Sequence, residues 1–260
     1  MREGIKIGEI KEAIDHNNET TGSDFFKGVE GAWLTYDAPI SGVSEKFDTS
    51  FGSTFFVCLP KEYKKYTKEN EEDDKKFKEY IEKTLLKGGT AVEFGGPGSK
   101  LFRGFSDNFF RKTVGVCLND IRDTDTEKKD KINNHSVLTG NILDVQNNKL
   151  LEKVTKTLDT NKVDLIISRM MGPLDFINKN LAILDRIIRN WYNLLNVNGL
   201  MFIQFNLHQD LRIQDLIEKW STAIKAKFPE IDIQVGNNVL RLHKKKDSPG
   251  ELPPATQLFK

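Results

Sequence analysis

The chain is expected to fold as an α/β protein. It should have a mostly parallel sheet, helices on both faces and an antiparallel hairpin at the C-terminal end. Three observations predict this. Strand-like apolar runs at 90–94, 113–118, 136–139, 163–167 and 200–205 alternate with segments of helical periodicity. Runs that are apolar almost throughout, such as LMFIQF at 200–205, suit strands covered on both faces. Finally, Gly236-Asn237-Asn238 separates short strands at 231–235 and 239–243, the signature of a hairpin.

Composition sets the frame. The 260 residues are 38% hydrophobic and carry a formal net charge of +1. That content suffices for a sizeable core, and the length suits one large α/β domain with an appendage, or two small domains. A near-neutral balance argues against a general nucleic-acid binder while leaving room for a local basic patch. Cys58 and Cys117 lie in apolar, strand-like surroundings without CxxC spacing and read as reduced core thiols. Met1-Arg2-Glu3-Gly4 opens no hydrophobic signal region, and no apolar run is long enough to span a bilayer. The expected setting is soluble and cytoplasmic, with no membrane partner.

Residues 1–60 form an N-terminal extension. Ile5, Ile7, Ile10 and Ile14 suit one face of a short helix, and Ala32–Tyr36 and Ser53–Leu59 read as extended pieces. Its aromatic residues, among them Trp33, Tyr36, Phe51, Phe55 and Phe56, must pack somewhere. The extension is either a lid over a substrate or a cover on the outer sheet face. From 61 the chain is dense in charge, and Phe77, Tyr80, Ile81, Thr84 and Leu85 mark an amphipathic helix that Gly88-Gly89 ends. A helix is expected near 99–106, a short one within 122–134, then 147–159 on Leu150, Leu151, Val154 and Leu158. A long helix at 174–195 rests on Leu181, Leu184, Ile187, Ile188, Trp191 and Leu195, and another follows at 210–227. The main domain therefore runs over 61–246, and the proline-bearing end, 247–260, is expected to be a loose tail.

The chain is organised around Thr90–Leu101, TAVEFGGPGSKL. Thr90–Val92 begin a buried strand, and Glu93 puts a carboxylate at its carboxyl end. Gly95, Gly96 and Gly98 make a turn whose backbone a ligand can approach closely. Ser99 is placed to cap the helix that begins with Leu101. Strand, glycine turn and helix start suit a nucleotide-like ligand at the carboxyl edge of the sheet. An ordinary tight turn is the alternative.

Taken together, these motifs resemble the class I S-adenosylmethionine-dependent methyltransferases over roughly 68–246. The resemblance implies a Rossmann-like seven-stranded sheet, with five strands in βα alternation followed by the antiparallel hairpin. The family's first motif is D/E-x-G-x-G-x-G. Glu93 and Gly95 match it, whereas Gly96 and Gly98 are displaced by one and Pro97 and Ser99 stand at the later glycine places. The resemblance further implies an acidic residue after the second strand that accepts from both ribose hydroxyls of the S-adenosyl-L-methionine donor. Cys117 occupies the usual place and Asp120 is the nearest carboxylate, so Asp120 is assigned there, against an exposed turn role. Asn141 is assigned to the adenine amino group, with the Ile142 backbone facing the ring. The alternative for Gly140-Asn141 is a plain turn. Asp164, opening the fourth strand, is given a structural role.

The reaction implied is methyl transfer to an acceptor that the sequence does not identify. A small molecule is favoured, then a protein side chain, then RNA. Ser168 and Arg169 fall at the carboxyl end of the fourth strand, where the methyl should point. No NPPY or DPPY stands there, which removes the best sign of amino methylation on adenine or glutamine. His208 is a candidate base, with a surface or capping role as its alternative. Arg169 binds an anionic acceptor or pairs with a neighbouring carboxylate. His16, His135 and His243 lack ligand-like spacing, so no metal is expected. Two other readings stay open. One is a catalytically silent methyltransferase-like scaffold. The other is an NAD(P)-dependent dehydrogenase, disfavoured because GPGSKL puts Leu101 where the dinucleotide fingerprint needs its third glycine.

Overall fold

This computed structural model describes residues 55–64, 70–106, 108–117, 120, 122–140, 142, 148–168, 181–204, 212–236 and 239–254. Among them, seven strands form one sheet: β1 Gly89–Phe94, β2 Phe110–Cys117, β3 His135–Thr139, β4 Val163–Ser168, β5 Leu195–Gln204, β6 Asp232–Gly236 and β7 Val239–His243. Their order is β3-β2-β1-β4-β5-β7-β6. The first five run parallel, and β7 pairs antiparallel with both β5 and β6. The helices are α1 Asn70–Thr84, α2 Ser99–Arg103, α3 Thr124–Ile132, α4 Lys149–Leu158, α5 Leu181–Leu194 and α6 Arg212–Lys227. The Rossmann-like sheet with a closing antiparallel pair is thus the architecture expected from the sequence.

Alternation along the strands divides the interior into two cores, because successive strand side chains point to opposite faces. Val92 and Phe94, Ile166, and Met201 and Ile203 face one core. There they meet Val154 and Leu158 of α4, Ile187, Ile188 and Trp191 of α5, and Ile217, Trp220 and Ile224 of α6. Trp191 lies flat on Phe94, with ring centroids 4.6 Å apart and planes 6° off parallel. Ala91, Leu165, Ile167, Leu200 and Phe202 face the second core, with Phe77, Tyr80, Ile81 and Leu85 and an aromatic group around Phe102, Phe105, Phe109 and Phe110. Asp164 is structural: Oδ2 accepts from the Thr90 amide at 2.7 Å and Oδ1 from Asn196 Nδ2 at 2.8 Å, which joins β1, β4 and β5.

Several expectations change in contact with the structure. β2 begins at Phe110 rather than 113, and β5 begins at Leu195, directly after α5, rather than at 200. The sequence predicts an extended Ser53–Leu59, but Phe56–Cys58 forms a short 3-10 turn with Phe55 as its N-cap. Phe55, Cys58 and Leu59 are all fully buried on one side, a three-and-four spacing that a helical turn satisfies and a strand does not. This end of the extension covers the sheet: Phe55 packs between Phe77 and Phe202 at 5.5 and 5.4 Å. Arg241, 2% exposed in β7, pins it by donating from Nε to the Cys58 carbonyl at 2.8 Å while pairing with Asp232. The tail also differs. Leu252 is buried, the Tyr192 hydroxyl donates to the Pro249 carbonyl at 2.5 Å and Lys244 Nζ to that of Gly250, so 247–254 packs against α5. The proposed helix at Ile5–Ile14, the strand at Ala32–Tyr36 and residues 255–260 lie outside the described residues.

Candidate functional site

After β1 the chain crosses to β2 and β3 on one side, then returns to β4 on the other. Such a reversal opens a crevice at the carboxyl ends of the strands, where open α/β sheets bind ligands. The ends that meet here are Phe94, paired with both Val116 and Ser168, then Cys117 and Thr139. The glycine turn leaves β1 at this point. Glu93 is fully buried on the Ala91 face, and its Oε1 lies 2.7 Å from where a Cβ on Gly96 would stand, so the carboxylate sits directly under the turn. Gly95 and Gly98 have φ of 97° and 68°, left-handed values that other residues rarely adopt.

The turn is tied down on its far side. The Gly95 amide donates to the Val116 carbonyl at 2.8 Å. The Pro97 carbonyl rests on Gly115 of β2, where an added Cβ would lie only 1.9 Å from that oxygen. His135 Nε2 bonds the same oxygen at 2.7 Å, and its Nδ1 meets Thr113 Oγ1 at 2.7 Å. A carbonyl only accepts, so Nε2 carries the hydrogen and Nδ1 accepts from the threonine hydroxyl. The neutral imidazole is therefore fully bonded. Burial holds its pKa below the usual 6.5; Asp130 opposes the shift, and Arg122 and Arg103 add to it. A depressed histidine pKa means that the unfolded chain takes up the proton first. Its contribution is intact above about pH 6.5 and is lost as pH falls below that value. His243 is shifted the same way by burial. His135→Gln is expected to flatten the fall in melting temperature between about pH 7 and pH 5, measured by differential scanning calorimetry, and the wild-type slope would count against this account.

Ser99 does not cap a helix beginning at Leu101. The helix α2 begins at Ser99 itself, its N-cap is Gly98 without a side-chain cap, and it ends at Arg103 rather than 106. So short a helix adds little dipole at the turn. The Ser99 hydroxyl instead donates to Asp130 Oδ2 at 2.6 Å. Asp130 is the buried residue of the otherwise polar helix α3. Asp123 caps that helix by accepting from the Thr126 amide at 2.6 Å, which helps orient it. Arg122 Nη1 donates to Asp130 Oδ2 at 2.7 Å, and Arg103 stands 3.7 Å from Oδ1. Arg122 also grips Asp120, with Nε to Oδ1 at 2.9 Å and Nη2 to Oδ2 at 2.7 Å. Asp120, Arg122, Asp130 and Ser99 thus form one chain of charge-assisted bonds from the end of β2 to the glycine turn. Burial, then the charge of Asp120, pushes the Cys117 thiol up to about 12.

The structure brings Glu93, Gly95, Gly96, Gly98, Ser99 and Asp120 to this one edge. Ile142 follows β3, with its side chain buried in the first core. Ser168 is fully buried, and its hydroxyl donates to the Phe94 carbonyl at 2.9 Å, tying the ends of β1 and β4. Arg169, His208 and Asn141 lie outside the described residues. Sequence reasoning missed Arg122, Asp130, Arg103 and His135. The single hint was the Asp120-x-Arg122 spacing, since nothing in TDTEKKDKI separates a buried aspartate from a solvated one.

No protein-family model matches the chain, and neither does any curated protein. Solved structures resemble it in fold at low identity. The MycE methyltransferase of the mycinamycin biosynthetic pathway, in complex with Mg and SAH, is 15% identical over 69% of this chain and 47% of its own, with a TM-score of 0.41. This chain thus spans about half the length of MycE. An rRNA methylase from Streptococcus thermophilus is 12% identical over 65% and 95% of the two chains, with a TM-score of 0.44. A ribosomal protein L11 methylase from Lactobacillus delbrueckii subsp. bulgaricus is 15% identical over 67% and 79%, with a TM-score of 0.39. The likeness is one of fold. The topology, five parallel strands and a closing antiparallel pair, is the one that the resemblance to class I methyltransferases implies.

Proposed function

We propose that the protein is an S-adenosyl-L-methionine-dependent methyltransferase whose donor binds at the carboxyl edge of β1 and β2. The observation that carries this reading is the buried Glu93 under a turn of left-handed glycines at the sheet's switch point. The residues present fit the donor. A Cβ on Gly96 or Gly98 would collide with the buried Glu93 or Phe102, so packing beneath the turn requires glycine at both places. The methionine end lies against Gly95–Ser99, the ribose on Asp120, and the adenine beside Asn141 and the Ile142 backbone.

When bound, the donor supplies an already activated methyl group on a sulfonium. The chain's task is therefore to align acceptor and donor and to exclude water. The hydroxyl of Ser168 fixes the β1 and β4 ends against each other, so Ser168 sets the floor of the acceptor side rather than touching the methyl. By their sequence positions after β4 and β5, Arg169 and His208 are the candidates for anion contact and base, where the acceptor needs them. A small-molecule acceptor is favoured by the near-neutral net charge, which does not suit extended RNA contact.

Calorimetric titration with S-adenosylmethionine and, separately, with NADH tests the donor. Binding of S-adenosylmethionine alone is expected. Binding of NADH alone would overturn the reading, and binding of neither would leave the scaffold as the function.

A further inference from the structure

Arg122 occupies the carboxylate that the donor's ribose needs. Its Nε and Nη2 make a fork on Asp120, one bond to each oxygen, and its own backbone amide adds a bond to Oδ1 at 3.2 Å. The pair is closed over: the side chains of Arg122 and Asp120 are 11% and 9% exposed. A vicinal diol bound by a carboxylate also donates one bond to each oxygen, along the edge that a guanidinium fork uses. Fork and diol cannot share that edge. Arg122 has somewhere to stay when displaced, because Nη1 is bonded to the fully buried Asp130 at 2.7 Å, and that aspartate is held by Ser99.

We propose that Arg122 competes with the donor's ribose for Asp120, so that it holds donor affinity down by the cost of opening the fork. The inference rests on the reading of Asp120 as the ribose carboxylate. It makes Arg122 an affinity-setting residue that acts through Asp120 without touching the reacting atoms. Binding then exchanges one set of charged bonds for another, and Arg122 pivots about Asp130. The net gain at Asp120 is the diol's bonds less those of the fork. A ligand lacking the diol leaves the fork closed and gains nothing at this position.

The test is calorimetry of wild type and Arg122→Gln with S-adenosylhomocysteine, adenosine and 2′,3′-dideoxyadenosine. Glutamine removes the fork but keeps an amide that can donate to Asp130. Arg122→Gln is expected to bind S-adenosylhomocysteine and adenosine about tenfold more tightly, since a charged hydrogen-bonded pair no longer has to open. Binding of 2′,3′-dideoxyadenosine should be unchanged. Equal or weaker adenosine binding by folded Arg122→Gln overturns the proposal, as does an equal gain for the dideoxy compound, which a change in packing alone would produce. If Arg122→Gln does not fold, Arg122→Lys decides by the same criteria, because it keeps a cation beside Asp130 and lacks the fork. Asp120→Ala separates this inference from its premise. Wild-type adenosine affinity in that variant removes the ribose role of Asp120 and the inference with it, while leaving the donor reading standing. Absence of S-adenosylhomocysteine binding by both wild type and Arg122→Gln overturns the donor reading and the inference together.

Discussion

A chain beginning at Lys61 is expected to melt early or aggregate. Removing the preceding residues takes away Phe55, Cys58 and Leu59, all fully buried in the second core. Phe55 fills the space between Phe77 of α1 and Phe202 of β5. Truncating one buried phenylalanine to alanine costs about 3–5 kcal/mol, and here a whole helical turn is lost. The loss also exposes the apolar faces of Phe77 and Phe202, and it takes the Cys58 carbonyl from the buried guanidinium of Arg241. An unpaired donor of that kind costs about a further 1–3 kcal/mol. Thermal melting of the truncated and full chains, with light scattering, decides this. A monodisperse truncated protein with the full-length melting temperature would show that the turn only rests on the sheet. Residues 55–60 pack against the second core, and residues 1–54 lie outside the described residues.

Gly115→Ala is expected to remove donor binding while costing about 1–3 kcal/mol of stability, the range for overpacking a filled interior. A methyl there would sit 1.9 Å from the Pro97 carbonyl oxygen. That oxygen is backbone and is held by His135, so it cannot step aside without dragging the turn between Gly95 and Gly98 out of place. The substitution therefore moves, from the opposite side, the backbone proposed to hold the donor, without touching a residue proposed to contact the donor. Gly250→Ala is the control, because nothing lies within 4 Å of an added Cβ there. S-adenosylhomocysteine titration and melting curves of both variants give the measurement. Wild-type affinity in Gly115→Ala would mean that the turn's position is irrelevant to the ligand.

Much of the fold could be read in advance because burial on two sheet faces leaves a plain mark. Strands such as Leu200–Ile203 are apolar on both faces since both are covered, and Val154 with Leu158 repeat at helical spacing because α4 covers one of them. The glycine turn was legible for a similar reason: left-handed backbone at Gly95 and Gly98 restricts the residue type. What stayed hidden depends on tertiary partners. Phe55–Leu59 looks extended in isolation and becomes helical because three side chains must face one surface. Asp130 reads as one more charge on a solvated helix, and only Ser99, Arg122 and Arg103 arriving from elsewhere make it a buried junction. The 247–254 segment is rich in turn residues, yet Leu252 and the Lys244 and Tyr192 bonds hold it. Asp120 could be singled out as a candidate from its position after β2; the arginine closed over it could not.

The claim on which the account depends is that the donor sits on the turn after β1. Amide chemical shifts of the ¹⁵N-labelled full chain during titration with S-adenosylmethionine test it most directly. The account predicts the largest shifts at Gly95, Gly96, Gly98 and Ser99, with a second group at Asp120 and Ile142 and no change at Gly88 or Gly250. Saturable binding that leaves the four turn amides unmoved, with its shifts gathered elsewhere on the sheet, would contradict it.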